Sequence, residues 1–181
     1  MDYYEVITLR NGKECCLRSA NESDGAAVLE NFLLTHEETD NLLSYPDENT
    51  FSAKKEGELL RKKAESEKEI EIIAVIDGKV AGSAGINAIG RYHKVRHRAE
   101  FGISIAKEYW GLGIGGKLTN ACIASAKKAG YAQLELDVVA NNERAIEMYK
   151  RAGFVEFGRN PKGFNSRISG YQELVYMRLE L

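Results

Sequence analysis

The chain has 181 residues, of which 44% are hydrophobic and 29% charged, with 17 glycines and only 2 prolines; this predicts one globular domain over 1–181 and excludes collagen-like, low-complexity and disordered classes. Lys plus Arg is 25 against Asp plus Glu 27, a formal net charge of −2, so the electrostatic footprint of a general nucleic-acid binder is missing and no nucleic-acid partner is expected. No stretch approaches the roughly 18 apolar residues of a membrane span, and MDYYEVITLRNGKECCLRSA lacks the basic-then-apolar pattern of a secretion signal. Cys15, Cys16 and Cys122 are an odd number without a CxxC, which reads as reduced thiols in a cytoplasm. His36, His93 and His97 show no ligand spacing, so no metal is expected.

In chain order, Glu14 to Arg18 reads as an opening strand. Asn21 or Ser23 then caps a helix whose apolar positions Val28, Leu29, Phe32 and Leu33 recur at helical spacing, ending near Thr35 to His36. From Ser19 to Ala53 there is no Lys or Arg, while eight acidic side chains run from Glu22 to Glu48. That bias fits either a solvated face or an electrostatic lip attracting a cationic amine. After Pro46, Ser52 to Glu69 reads as a charged surface helix with a narrow stripe at Leu59, Leu60 and Ala64. Ile70 to Ile76 is rich in β-branched residues, and Asp77-Gly78 turns it back into Lys79 to Ile89 as a hairpin.

The basic stretch Arg91 to Arg98, with Tyr92, reads as a solvated connection, since no aromatic platform accompanies it. Ala99 to Ile105 alternates as a strand. Beyond a glycine cluster, a helix runs from Ile114 to Ala129 and stops at Gly130. Leu134 to Val138 alternates as a strand, Asn141 or Asn142 caps a helix to Arg151, and Gly153 ends it. Two closing strands, about Phe154 to Gly158 and Tyr171 to Leu179, are joined by a loop containing Pro161 and Gly163. The order is that of a mixed α/β sheet of about six or seven strands with about four helices on its faces.

The cluster Tyr109 to Gly116, YWGLGIGG, opens a helix shortly after a strand. Residues without Cβ let backbone N–H groups turn toward a ligand, and the helix N-terminus adds partial positive charge, which suits a pyrophosphate. One alternative is a tight connection with no ligand. Another is a dinucleotide site, because Gly111, Gly113 and Gly116 match GxGxxG; but Ala106 to Trp110 intervene after the strand, and no second βαβ unit follows.

A second motif narrows the choice. Asn142 to Phe154 reads NERAIEMYKRAGF, similar to N-x-x-A-x-x-x-Y-x-x-x-G-F, and Trp110-Gly111-Leu112-Gly113-Ile114-Gly115 aligns with Gln/Arg-x-x-Gly-x-Gly/Ala. With both in order, the chain resembles the GNAT superfamily of acyl-CoA-dependent N-acetyltransferases, in particular the branch acting on ribosomal proteins and small amines. Trp110 departs from the pattern, standing where Gln or Arg is usual. The resemblance implies that Gly111, Leu112, Gly113, Ile114, Gly115 and Gly116 cradle the pyrophosphate of acetyl-CoA. It implies that the backbone of Ile103, Ser104 and Ile105 pairs with the pantetheine arm, and that Asn142 lies beside the cofactor.

Acetyl transfer needs a neutral amine, a stabilised oxyanion and a proton for the departing thiolate. Glu100 lies three residues before the expected pantetheine contacts, roughly 10 Å along the strand at about 3.3 Å per residue. The resemblance makes it the candidate base, against a reading as a surface or salt-bridged strand glutamate with Arg98 as partner; Glu135 and Asp137 are weaker candidates. Tyr149 is two turns after Asn142 and on the same face. It reads as a half-buried core tyrosine with Ala145, Ile146 and Ala152, and the resemblance makes it the general acid. The oxyanion would meet a backbone N–H near Ile103. The implied activity is direct transfer from acetyl-CoA to a primary amine, of a small molecule or a protein, with no metal; a non-catalytic acyl-CoA sensor is the alternative. Dimerisation is common among similar proteins, so the resemblance leaves a homodimer open, and nothing in this sequence fixes it.

Overall fold

The computed structural model describes residues 1–181. In chain order its elements are β1 (Tyr4–Thr8), β2 (Glu14–Ser19), α1 (Gly25–Glu38), α2 (Ala53–Glu65), β3 (Ile70–Ile76), β4 (Lys79–Ala88) and β5 (Arg98–Ile105). α3 (Ile114–Lys128), β6 (Gln133–Val139), α4 (Glu143–Arg151), β7 (Val155–Ser166) and β8 (Gly170–Glu180) follow. The strands form one sheet in the order β1-β2-β3-β4-β5-β6-β8-β7, eight strands where six or seven were expected. The additional strand is β1. Val6 and Ile7 are adjacent apolar residues with only Ile7 buried, so this edge strand carries no clean alternation to read.

Period-2 alternation in β3 decides how the layers stack. Ile70, Ile72, Ala74 and Ile76 join the main core with Leu118, Ala121 and Cys122 of α3. Ile73 points the other way and packs with Val28 of α1 and Leu60 of α2. α1 and α2 thus cover one face of the sheet and α3 the other, and two packed layers share one sheet.

Several boundaries moved for local reasons. Asn21 caps a short 3-10 turn, Glu22–Asp24, in a reciprocal box: its side chain accepts from Ser23 N (2.9 Å) and the Asp24 carboxylate accepts from Asn21 N (2.9 Å). α2 ends at Glu65 rather than Glu69 because the Ser66 hydroxyl accepts the backbone N–H of both Lys68 and Glu69 (3.0 Å each) and competes with the helix. β7 runs through Pro161 to Ser166, well past the expected Gly158. It is an edge strand with register shifts at Glu156/Gly158 and Asn160/Phe164, where a residue lacking N–H is tolerated.

Candidate active site

The site begins where two parallel strands part. β5 and β6 pair over only three residues, Arg98 to Glu100 against Gln133 to Glu135. Beyond Glu100, β5 continues against β4 alone, through Ile105 opposite Gly82. In this antiparallel ladder the even residues face β4, since Arg98 O accepts from Ile89 N (3.2 Å) and Ala106 N donates to Ala81 O (3.0 Å). Alternation then turns the N–H and C=O of Ile103 and Ile105 into the gap left by β6. Ser104, by the same alternation, directs its backbone to Ser83, so only its side chain can meet a ligand there. The Ile105 carbonyl is already engaged, accepting the Trp110 indole N–H at 2.6 Å.

The gap opens into a cavity of about 430 Å³ that runs from α1 to the glycine loop and α4. Gly111 and Gly113 have φ of +83° and +95°, left-handed values that a side chain would strain, and they deliver the chain into α3, whose N-cap is Gly113. No side chain caps that helix, so its first N–H groups remain available to an anion. Ile103, Ser104, Ile105, Gly111, Gly113, Ile114, Gly115, Gly116 and Asn142 all border the cavity. Leu112 does not. Its carbonyl accepts from Arg10 N (3.3 Å) and its side chain packs against the main core. Asn142 also caps α4, its Oδ1 accepting from Ala145 N at 3.3 Å.

Tyr149 lies on the cavity wall, 7% exposed, edge-on to Phe101 and Phe154 with ring centroids 6.1 and 5.9 Å away. Burial raises its phenol above the usual 10, so the hydroxyl stays protonated through neutral and mildly alkaline pH. A protonated phenol at the wall can donate a hydrogen bond or a proton to a soft anion.

Glu100 occupies the last paired position of β5, opposite Glu135, and is exposed. It does not border the cavity. Arg98 is committed elsewhere, with a bidentate pair to Glu135 in which Nη2 meets Oε2 at 2.7 Å. Glu100 is therefore not salt-bridged to Arg98 and stands as an exposed glutamate on the strand surface. Asp137, on β6 beyond the parting point, has its carboxyl pushed up by burial and by the charges of Glu100 and Glu135. These carboxylates form an acidic edge to the gap.

The acid-rich stretch before Ala53 serves the fold. Asp24 pairs with Arg18 in two contacts of 2.8 and 2.7 Å, and Glu38 accepts Lys107 N at 2.7 Å. Asp40 accepts from the hydroxyls of Ser166 (2.6 Å), Ser169 (3.0 Å) and Tyr45 (3.1 Å), and Arg167 holds Asp47 at 2.8 Å. The α1 end of the cavity is instead lined by neutral Thr35, Thr39, Asn41 and Leu42.

Residues that sequence reasoning passed over are Arg10, Tyr109, Asn120, Arg144, Met148 and Arg151, all bordering the cavity. Arg144 and Arg151 are seven apart and share a helix face with Met148, a spacing that is visible in the sequence. Arg10 had no such signal, because it depends on the unread strand β1.

The cavity's lining holds three arginines and no carboxylate, in a chain of net charge −2. A left-handed glycine turn, an uncapped helix start, a free strand edge and local positive charge fit a long ligand with a phosphate group at one end.

Comparison with known proteins agrees with this geometry. Residues 27–154 match the model of the acetyltransferase (GNAT) family. The fold is similar to that of a GNAT-family acetyltransferase from Streptococcus pneumoniae, with 28% identity and a TM-score of 0.87 over 92% of this chain and 99% of that one. It is also similar to yncA from Salmonella typhimurium, solved with its cofactor acetyl-CoA, with 19% identity and a TM-score of 0.79 over 91% and 92% of the two chains. Among curated proteins, N-alpha-acetyltransferase 30 of Schizosaccharomyces pombe is 31% identical over 74 residues, 41% of this chain and 49% of that protein; the match thus spans about half the length of that relative. With a family model matched across most of its length and the splayed sheet and glycine turn in place, the chain belongs to the GNAT family of acetyltransferases.

Proposed function

We propose that the protein transfers the acetyl group of acetyl-CoA directly to a primary amine. The observation that carries this reading is the continuity of one cavity from a cationic glycine turn, past the free backbone of Ile103, to the Tyr149 phenol. Acetyl-CoA supplies an activated thioester. Gly111, Gly113, Ile114, Gly115 and Gly116 bind its diphosphate through backbone N–H groups, and Ile103 pairs with the pantetheine arm. The Ile103 N–H, which faces the gap, meets the carbonyl oxygen as it gains negative charge. Glu100 takes a proton from the incoming ammonium through water, so that a neutral amine attacks. The new C–N bond forms as the C–S bond breaks. The thiolate takes the Tyr149 proton, and the second proton shed by the amine nitrogen leaves through the acidic edge and restores the phenol by way of solvent.

The acceptor is an amine on a small molecule or a protein, and the neutral α1 end of the cavity receives its body. The test is CoA release from acetyl-CoA with a panel of polyamines, amino acids, aminoglycosides and peptides with free N-termini. At least one class should stimulate release. Tyr149→Phe should bind CoA as the parent does yet lose turnover by about 10²-fold. CoA binding without turnover for any amine would instead mark a sensor.

A further inference from the structure

A diphosphate carries two negative charges, yet Trp110, which leads into the glycine turn, brings no charge to meet them. Its indole is bound to the Ile105 carbonyl at 2.6 Å, and its ring is flanked by Lys107 Nζ at 5.8 Å and the Arg144 guanidinium at 5.4 Å. Trp110 therefore works as a post, tying the turn to β5 and carrying Arg144 on its face.

Two cations converge on the turn from elsewhere in the fold. Arg10 sits in the tight connection between β1 and β2, whose backbone is docked on the turn through Arg10 N to Leu112 O (3.3 Å). Its Nη1 donates to Gly111 O at 3.2 Å, leaving four of a guanidinium's five donors uncommitted. Arg144 approaches from the first turn of α4, and a Cβ built on Gly111 would lie 3.9 Å from its Nη2. Neither side chain has a carboxylate partner, whereas Arg18, Arg98, Arg159 and Arg167 elsewhere each have one. Two guanidinium groups without a carboxylate partner, both beside the left-handed Gly111, repel each other, and an anion entering between them relieves that repulsion.

Resting on the acyl-CoA reading above, we infer that Arg10 and Arg144 form a two-sided clamp on the coenzyme diphosphate. They supply from the N-terminal hairpin and from α4 the charge that Trp110 does not. The hairpin is thereby part of the cofactor site, and specificity for a diphosphate is divided among three segments far apart in sequence.

The test is calorimetric titration of the full chain with CoA and with dephospho-CoA, which keeps the diphosphate and lacks the 3′-phosphate. Arg10→Ala and Arg144→Ala should each weaken both ligands alike, by about tenfold, with Arg10→Lys between parent and Arg10→Ala. The loss should shrink at high salt, while ligand-free melting temperatures stay at the parent value. Should a variant melt early, Arg10→Gln and Arg10→Lys carry the comparison, since both keep a long side chain in the hairpin. Unchanged affinities in folded variants overturn the clamp. A loss confined to CoA also overturns it, because it assigns the arginines to the 3′-phosphate. A parent protein that binds neither coenzyme removes the acyl-CoA reading itself, whereas a parent that binds and variants that bind equally remove only the clamp.

Discussion

Tyr149 and Asp24 are both buried polar residues, and their surroundings give them different work. Tyr149 has aromatic neighbours and no ion to pair with, so burial alone keeps its proton in place. Asp24 has Arg18 in bidentate contact and the Asn21 N–H, and these hold its carboxyl below the usual range against the opposing effect of burial. A carboxyl depressed in the folded state adds stability above its unfolded pKa of about 3.9 and loses it as pH falls through the folded value. Asp24→Asn should therefore cost about 2 kcal/mol at pH 7, measured by urea unfolding. The difference from the parent should close progressively below about pH 4, as both sequences then carry a neutral group at this site.

Between elements, α1 and the turn before it press closely on α2 at two glycines. A Cβ on Gly25 would sit 2.4 Å from the Ala53 carbonyl oxygen, and one on Gly57 would sit 2.6 Å from that of Glu22. Both obstacles are backbone, which cannot rotate aside. Gly57→Ala gains about 1 kcal/mol of helix propensity but must separate the helices, and we expect a net loss of about 2 kcal/mol in denaturant unfolding. The same displacement reaches the site, because the α1 end carries Thr35 and Thr39 on the cavity wall and Glu38 bonded to Lys107 N. A raised acceptor KM with little change in CoA affinity is the expected kinetic result.

At the scale of the whole molecule, the sheet is continuous but its stability is not uniform: the β5–β6 junction has three paired residues, whereas β3 pairs with β4 along its whole length, Ile70 to Ile76. A ligand that fills the gap should act there first. CoA at a hundredfold excess over its Kd should raise unfolding free energy by about 2.7 kcal/mol. New hydrogen-exchange protection should concentrate in residues 103–116 and 142–152, with β1 to β3 little changed away from Arg10. Protection spread evenly over all strands would contradict a site at the splay.

Much of this architecture was legible in local chemistry. The β-branched run of β3, the Asp77-Gly78 turn, the helical spacing in α3 and the glycine turn each act over a few residues, so their signals survive in the linear chain. The motif Asn142 to Phe154 likewise placed Asn142 and Tyr149 on one helix face. Edge strand β1 and the full length of β7 were not legible, because an edge is half solvated and its pattern is set by partners, not by its own residues. Nor could the sequence say whether Arg98 would meet Glu100, two residues away, or Glu135 on another strand. The amino-acid order by itself determined most of the elements, the family pattern and a glycine cradle at the start of α3. Only the tertiary structure decided which charges remain free around that cradle, since pairing depends on distances between segments as remote as Arg10, Gly111 and Arg144, and chain order does not encode those distances.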